Sequence, residues 1–123
     1  VPTPGATDWA YVGGLIDGEG SICLVNTGAK KRYPRVYVSS TSYELIQYML
    51  DNFGGHFVEQ SRQGRQGQKH KQAYSWRLNG KAALEFLRQV LPFLREARKR
   101  ERARMLLFEY PGDDMFVQRF HDV

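Results

Sequence analysis

A chain of 123 residues, 41% of them hydrophobic, has the length and apolar supply of one ordinary globular domain. It contains no apolar run of membrane-spanning length, and its single cysteine, Cys23, excludes a disulfide framework or a zinc-knuckle spacing and reads as a small strand residue. The 18 Lys and Arg exceed the 13 Asp and Glu, and the net charge of +5 favours a polyanion such as nucleic acid as partner.

The opening VPTPGAT has neither the basic start nor the apolar stretch of a secretion signal, so a soluble, intracellular protein is expected, with the compartment (organelle, nucleoid or phage-infected cell) open. Starting at Val1 rather than Met fits a trimmed, excised or internal segment. Thr7 as N-cap, Asp8 in the first turn and a proline-free Trp9 to Asp17 predict a helix running to about Gly18. Ser21 to Thr27 alternates as a strand, with Ile22 and Leu24 inward and Cys23, Val25 and Thr27 outward. After the basic turn GAKKR, Tyr33 to Ser39 forms a second strand and closes a hairpin, with Val36 and Val38 towards the core and Arg35, Tyr37 and Ser39 outward. Thr41 and Glu44 make a capping box, and Leu45, Ile46, Met49, Leu50 and Phe53 keep helical spacing until Gly54-Gly55.

The pattern then repeats. His56 to Ser61 and Gln72 to Asn79 read as strands joined by the polar loop RQGRQGQKHK. In the later strand Tyr74, Trp76 and Leu78 face inward and Ala73, Ser75 and Arg77 outward. The earlier one allows either parity, exposing Gln60 and Arg62 or Glu59 and Ser61. Leu84, Leu87, Val90 and Leu91 line a third helix, Pro92 opens a fourth ending near Tyr110 before Pro111-Gly112, and the tail from Asp113 forms a short helix through Met115, Phe116 and Phe120. This is α+β order, αββαββαα, in a single domain with a core at about 7–110 and a tail at 111–123. A four-stranded antiparallel sheet with helices on one face leaves the other face polar and in need of a partner.

Two features carry chemistry. Asp17 and Glu19 lie at the C-terminal end of the first helix, where unpaired carbonyls already carry partial negative charge, so the pair is destabilising unless a cation is bound. Ala10, Gly14 and Gly18 are four apart and form a small-residue stripe on that helix. Pairing with the same helix of a second subunit would set two Glu19 side by side and create two symmetric cation sites. The bases fall into three clusters: Lys30, Lys31, Arg32 and Arg35; Arg62, Arg65, Lys69 and Lys71; and Arg95, Arg98, Lys99, Arg100, Arg102 and Arg104. His56, His70 and His121 are scattered without metal-ligand spacing and receive no catalytic role.

The run VGGLIDGEGS, from Val12 to Ser21, resembles the signature of the LAGLIDADG homing endonucleases, with Glu19 where the family more often has Asp. The downstream order of elements resembles the family across roughly residues 7 to 110. The resemblance implies that Glu19 is the principal metal ligand, with the Gly18 carbonyl and a scissile phosphate oxygen completing a Mg2+ shell. Mn2+ would substitute and Ca2+ would bind without supporting cleavage. Asp17 matches the family's first acid and is expected near the metal, ordering the helix end more than ligating. Ala10, Gly13, Gly14 and Asp17 would line the contact of a homodimer. Lys99 best matches a lysine near the reacting phosphate, with Arg98 and Arg100 as competitors, and Ser40 a polar residue that holds water.

Thr27, Arg35, Tyr37, Ser39, Ser75 and Arg77 are the candidate base readers, with Lys30, Lys31, Arg32, Arg65, Lys69 and Lys71 nearer phosphates and Arg62 also in the DNA-binding set. The implied activity is intron or intein homing: metal-assisted hydrolysis of both strands of a long, near-palindromic double-stranded DNA site, cut across the minor groove to leave a short 3′ overhang. The alternative is a non-cleaving RNA-splicing maturase or DNA-binding regulator, the one reading that calls for RNA. No membrane partner is expected under either.

Overall fold

The computed structural model describes residues 3–28, 31–60 and 72–123. Helix α1 (Ala6–Glu19) runs directly into strand β1 (Gly20–Asn26), followed by β2 (Arg32–Ser40), α2 (Tyr43–Phe53), β3 (His56–Gln60), β4 (Ala73–Asn79) and α3 (Gly80–Val90). A 3-10 turn (Leu91–Phe93) then leads to α4 (Ala97–Phe108) and α5 (Asp114–Asp122). Lys30 and positions 61–71, with Arg62, Arg65, Lys69 and Lys71, lie outside the described residues.

The α+β expectation holds: the four strands form one antiparallel sheet in the order β1-β2-β4-β3. The hairpin register is Gly20↔Val38 through Asn26↔Arg32, and Arg35↔Asn79 through Ser40↔Tyr74 joins the two halves. Ile22, Val36, Val38, Trp76 and Leu78 are buried on the helix side with Val12, Ile16, Ile46, Met49, Leu87 and Leu106. Trp76 is fully buried in an aromatic cluster with Phe53 and Phe86. The register resolves the parity of β3, because Phe57 and Glu59 stand opposite Trp76 and Tyr74, while His56, Val58 and position 60 stand opposite Arg77, Ser75 and Ala73 on the other face.

Helix starts differ from the sequence expectation. α1 is capped at Gly5, whose N–H donates to Asp8 Oδ2 at 3.0 Å, so Thr7 sits inside the first turn. α2 is capped by Ser42, not Thr41: the Ser40 hydroxyl accepts the Ser42 N–H, which turns the Ser42 hydroxyl onto Leu45 N–H. Pro92 sits in the 3-10 turn, and the long helix begins only at Ala97, behind the cap Glu96. The intervening N–H groups of Arg95 and Glu96 are held by the Asp17 carboxylate, an acceptor 78 and 79 residues away. Phe116 and Phe120 bury one side of α5 while Met115 is 73% exposed. Among the described residues no helix is long and apolar enough to cross a membrane.

Gly20 makes the loopless turn from α1 into β1 possible. A Cβ there would lie 2.7 Å from Ile16 Cδ1 and 2.8 Å from Ile16 Cα, closer than side chains approach. The Gly20 N–H donates to the Ile16 carbonyl and closes the helix.

Candidate functional site

The C-terminal end of α1 carries the charge problem anticipated for it, and part of the compensation comes from the chain itself. Lys99, on the first turn of α4, donates from Nζ to the carbonyls of Ile16 at 2.8 Å and Asp17 at 2.6 Å. A lysine ammonium thus sits on the negative pole of α1, the favourable sign for a helix C-terminus. Asp17 meanwhile spends both oxygens on backbone donors, Oδ2 on Arg95 N–H at 2.9 Å and Oδ1 on Glu96 N–H at 3.1 Å. Asp17 therefore pins the approach to α4, and α4 returns Lys99 to α1. Glu96 accepts the Lys99 N–H at 2.8 Å, and that hydrogen bond holds its carboxyl below the usual carboxylate range.

Glu19 is different. It is the last residue of α1, exposed, and no described residue hydrogen-bonds or pairs with it. Gly18 beside it is also exposed, with no atom within 4 Å of where a Cβ would stand. Among the described residues no group of three or more His, Cys, Asp or Glu could hold a metal ion. The oxygen donors offered are therefore sparse, the Glu19 carboxylate and carbonyls of the helix end, which suits a hard cation that keeps waters and takes phosphate oxygens.

A cleft beside this end is lined by Gly20, Ser21, Ile22, Glu96, Arg98, Lys99, Arg102 and Val123. Of the three candidate bases, Lys99 faces the α1 carbonyls and Arg98 lines the same cleft, whereas Arg100 lines a separate one with Leu91, Pro92, Leu94 and Arg104. Sequence reasoning placed Arg102 in the third basic cluster but gave it no role of its own. Its guanidinium donates to the carbonyls of Ile22 at 3.2 Å and Val123 at 2.7 Å and stacks 5.3 Å from the Phe120 ring, tying β1, α4 and α5 together. No local pattern marks it, since its partners are 80 and 21 residues away. Ser40 lies two residues past Val38, the partner of Gly20, at the same end of the sheet, and its hydroxyl serves the α2 cap.

The face turned away from the helices collects Ser21, Cys23 and Val25 of β1, Tyr33, Arg35, Tyr37 and Ser39 of β2, His56 and Val58 of β3, and Ser75, Arg77 and Asn79 of β4. Arg35 and Arg77 stand on adjacent rows there. Ser75 departs from expectation: it is on this face but only 1% exposed, covered on a central strand, with its hydroxyl 3.3 Å from that of Ser39. Arg32 has helix-side parity and lies 3.6 Å from Asp114. Thr27 is exposed, but its hydroxyl donates to the Lys31 carbonyl and closes the hairpin turn, and Lys31 itself is exposed. Asn79, also given no role, accepts from Arg35 Nε at 2.8 Å. Cys23 is half-buried, and burial raises its thiol above the ordinary value despite Arg102 and Arg35 nearby.

On α1, Ala10, Gly14 and Gly18 are all exposed, so no described residue covers the stripe. Gly13, grouped with them in the sequence reading, is instead buried against its own chain: an added Cβ would lie 2.7 Å from Phe93 Cβ and 2.9 Å from the Phe93 carbonyl oxygen. One position separates an inward from an outward glycine on a helix, and small-residue spacing alone does not resolve it.

A family model described as a LAGLIDADG-like domain matches residues 6–91. The chain's fold is similar to that of an archaeal intron-encoded homing endonuclease, I-Vdi141I, complexed with DNA, at TM-score 0.55 and 16% identity over 94% of this chain and 79% of that one. It is also similar to I-DmoI in complex with DNA and Mn, at TM-score 0.41 and 22% identity over 87% of this chain and 63% of the other, so it spans less than two thirds of I-DmoI. No curated protein sequence matches the chain.

Proposed function

Because the chain belongs to the LAGLIDADG-like family, we propose that it is a homodimeric, divalent-cation-dependent endonuclease that cuts both strands of a long, near-palindromic DNA duplex. The observation that carries this is the division of labour at the end of α1. Asp17 is spent on the α4 backbone and Lys99 on the α1 carbonyls, and Glu19 alone is left exposed to a ligand. A structural role for both acids would have consumed both.

Glu19 and the Gly18 carbonyl would hold the cation, with Mg2+ the expected ion and Mn2+ able to replace it. When bound, such an ion lowers the pKa of a water and neutralises charge on a phosphoryl oxygen. Lys99 holds a fixed positive charge at the same helix end, and an ammonium has three donors, so one remains beyond its two carbonyls for a phosphate oxygen. Arg98 and Arg102 keep the adjoining cleft cationic, and Ser40 is the candidate to orient water. The open face, with Arg35, Tyr37, Ser39 and Arg77, suits a β-ribbon reader of the major groove, and exposed Lys31 suits a phosphate.

One chain supplies one such acid. The exposed Ala10, Gly14 and Gly18 stripe supports pairing of α1 with its copy, and a two-fold dimer requires a two-fold target.

The test exposes the protein to palindromic duplexes randomised over about 10 bp per half-site, the length of one helical turn. Bound and cut molecules are recovered in Mg2+ and in Ca2+, beside Glu19→Gln. Symmetric cuts in Mg2+ alone, lost by at least ~10^2-fold in the variant while binding persists, are expected, the scale on which single electrostatic groups act in catalysis. Sequence-enriched binding without cutting in either ion would overturn the nuclease reading and leave a binding protein, to be tried next on structured RNA.

A further inference from the structure

We infer that Arg35 is the principal specificity residue of the open face, a reader of one guanine per half-site, and that Asn79 and Tyr33 are positioning residues that lock its guanidinium for that contact. The inference rests on the DNA-binding reading above and deepens it.

Arg35 is half-buried in the middle of the face, with Cys23 of β1 and Asn79 of β4 as its cross-strand partners. Its Nε donates to Asn79 Oδ1 at 2.8 Å, its Nη2 donates to the Tyr33 hydroxyl at 3.1 Å, and its guanidinium carbon lies 5.6 Å from the Tyr33 ring centroid. Asn79 is the N-cap residue of α3, a position where an amide ordinarily bonds the helix, yet its side chain makes no cap hydrogen bond and turns to Arg35 instead. The held group is therefore fixed by two strands and a ring before any partner arrives, and little side-chain entropy remains to be lost on contact.

The donor count sets the ligand chemistry. A guanidinium has five N–H donors in a rigid fork, and Asn79 and Tyr33 take one each, from Nε and Nη2. Three donors remain, two on Nη1 and one on Nη2, and one from each nitrogen can be offered together at the tip. In the major groove the base edge with two adjacent acceptors is guanine, through O6 and N7, whereas adenine and cytosine present a donor. Among the described residues Arg77, on the neighbouring row, has only a 3.5 Å contact from Nε to the Ser75 hydroxyl and no such clamp.

The test compares the sequences enriched from the randomised palindromes in Ca2+ by wild type, Asn79→Ala, Tyr33→Phe and Arg35→Lys, each first shown to melt as wild type does. Asn79→Ala leaves the α3 cap bonding unchanged, and Tyr33→Phe keeps the ring. We expect one guanine position per half-site to be strongly preferred by wild type, and that preference to fall by roughly 5- to 150-fold in Arg35→Lys, the discrimination of one bidentate pair. It falls partly in the other two, with every other position unchanged. A merely structural role would weaken binding evenly across positions. Wild-type enrichment in which no guanine position responds to these variants would overturn the inference and leave the function standing. No enriched sequence for wild type would overturn both.

Discussion

At the residue scale, two carboxylates two positions apart do unlike work, and stability should separate them. Asp17 accepts two backbone N–H groups that would otherwise be unpaired in the extended stretch before α4, while the Glu19 side chain has no partner among the described residues. Hydrogen bonds to a charged acceptor contribute about 1.5–3 kcal/mol each when well shielded, and less at this partly exposed position. Asp17→Ala should therefore lower unfolding stability by about 1–3 kcal/mol, read as a shift in urea midpoint, with Asp17→Asn losing less because its amide oxygen still accepts one donor. Glu19→Gln should stay within about 0.5 kcal/mol of wild type, as a surface change does. A loss for Glu19→Gln as large as for Asp17→Ala would mean that Glu19 is structural after all.

At the scale of elements, α4 is placed by caps, and one of them titrates. The Glu96 carboxylate receives the Lys99 N–H, with the charges of Arg98 and Lys99 adding to the lowering of its pKa. A depressed folded-state pKa stabilises above the unfolded-state value of 4.5 and ceases to do so as pH falls through the lower folded value. Acid should thus loosen the start of α4, and with it the Lys99 contact to α1. Glu96→Gln should flatten the fall in thermal midpoint below about pH 4.5 relative to wild type, as followed by circular dichroism. An acid limb identical in the two proteins would assign the pH dependence to other carboxylates. This cap also marks the limit of what was legible in the chain. Strand parity at Ile22, Val36, Val38 and Trp76, the sheet and its order of elements, and the acids at the end of α1 follow from local period and end signals. What escaped was set at long range: the start of α4 by Asp17, the burial of Ser75 by its strand neighbours, and the roles of Asn79 and Arg102 by register. The cap of α2 escaped for a local reason, since Thr41 and Ser42 are adjacent hydroxyls and the Ser40 hydrogen bond decides between them.

For the whole molecule, the question is whether the second copy completes what one chain leaves open, and α1 offers a paired test on adjacent glycines. Gly13 is packed within its own chain, where a methyl would lie 2.7 Å from Phe93 Cβ and 2.9 Å from its carbonyl oxygen. Gly13→Ala should cost about 1–3 kcal/mol of folding stability at every protein concentration, the usual cost of overpacking. At Gly14 a methyl meets nothing within 4 Å, and replacing an exposed helical glycine by alanine favours the helix by about 1 kcal/mol. Considered as a single chain, Gly14→Ala is therefore stabilising. In a dimer whose helices approach along Ala10, Gly14 and Gly18, two facing methyls push the backbones apart and weaken association. The two effects have opposite signs and separate with concentration, because subunit pairing stabilises by mass action and an unfolded chain does not pair. Gly14→Ala should raise the thermal midpoint in dilute protein, yet weaken the monomer–dimer equilibrium measured by sedimentation and reduce cleavage most at low enzyme concentration. An association constant equal to that of wild type would overturn pairing through α1, and with it the inference that a symmetric target follows from this helix.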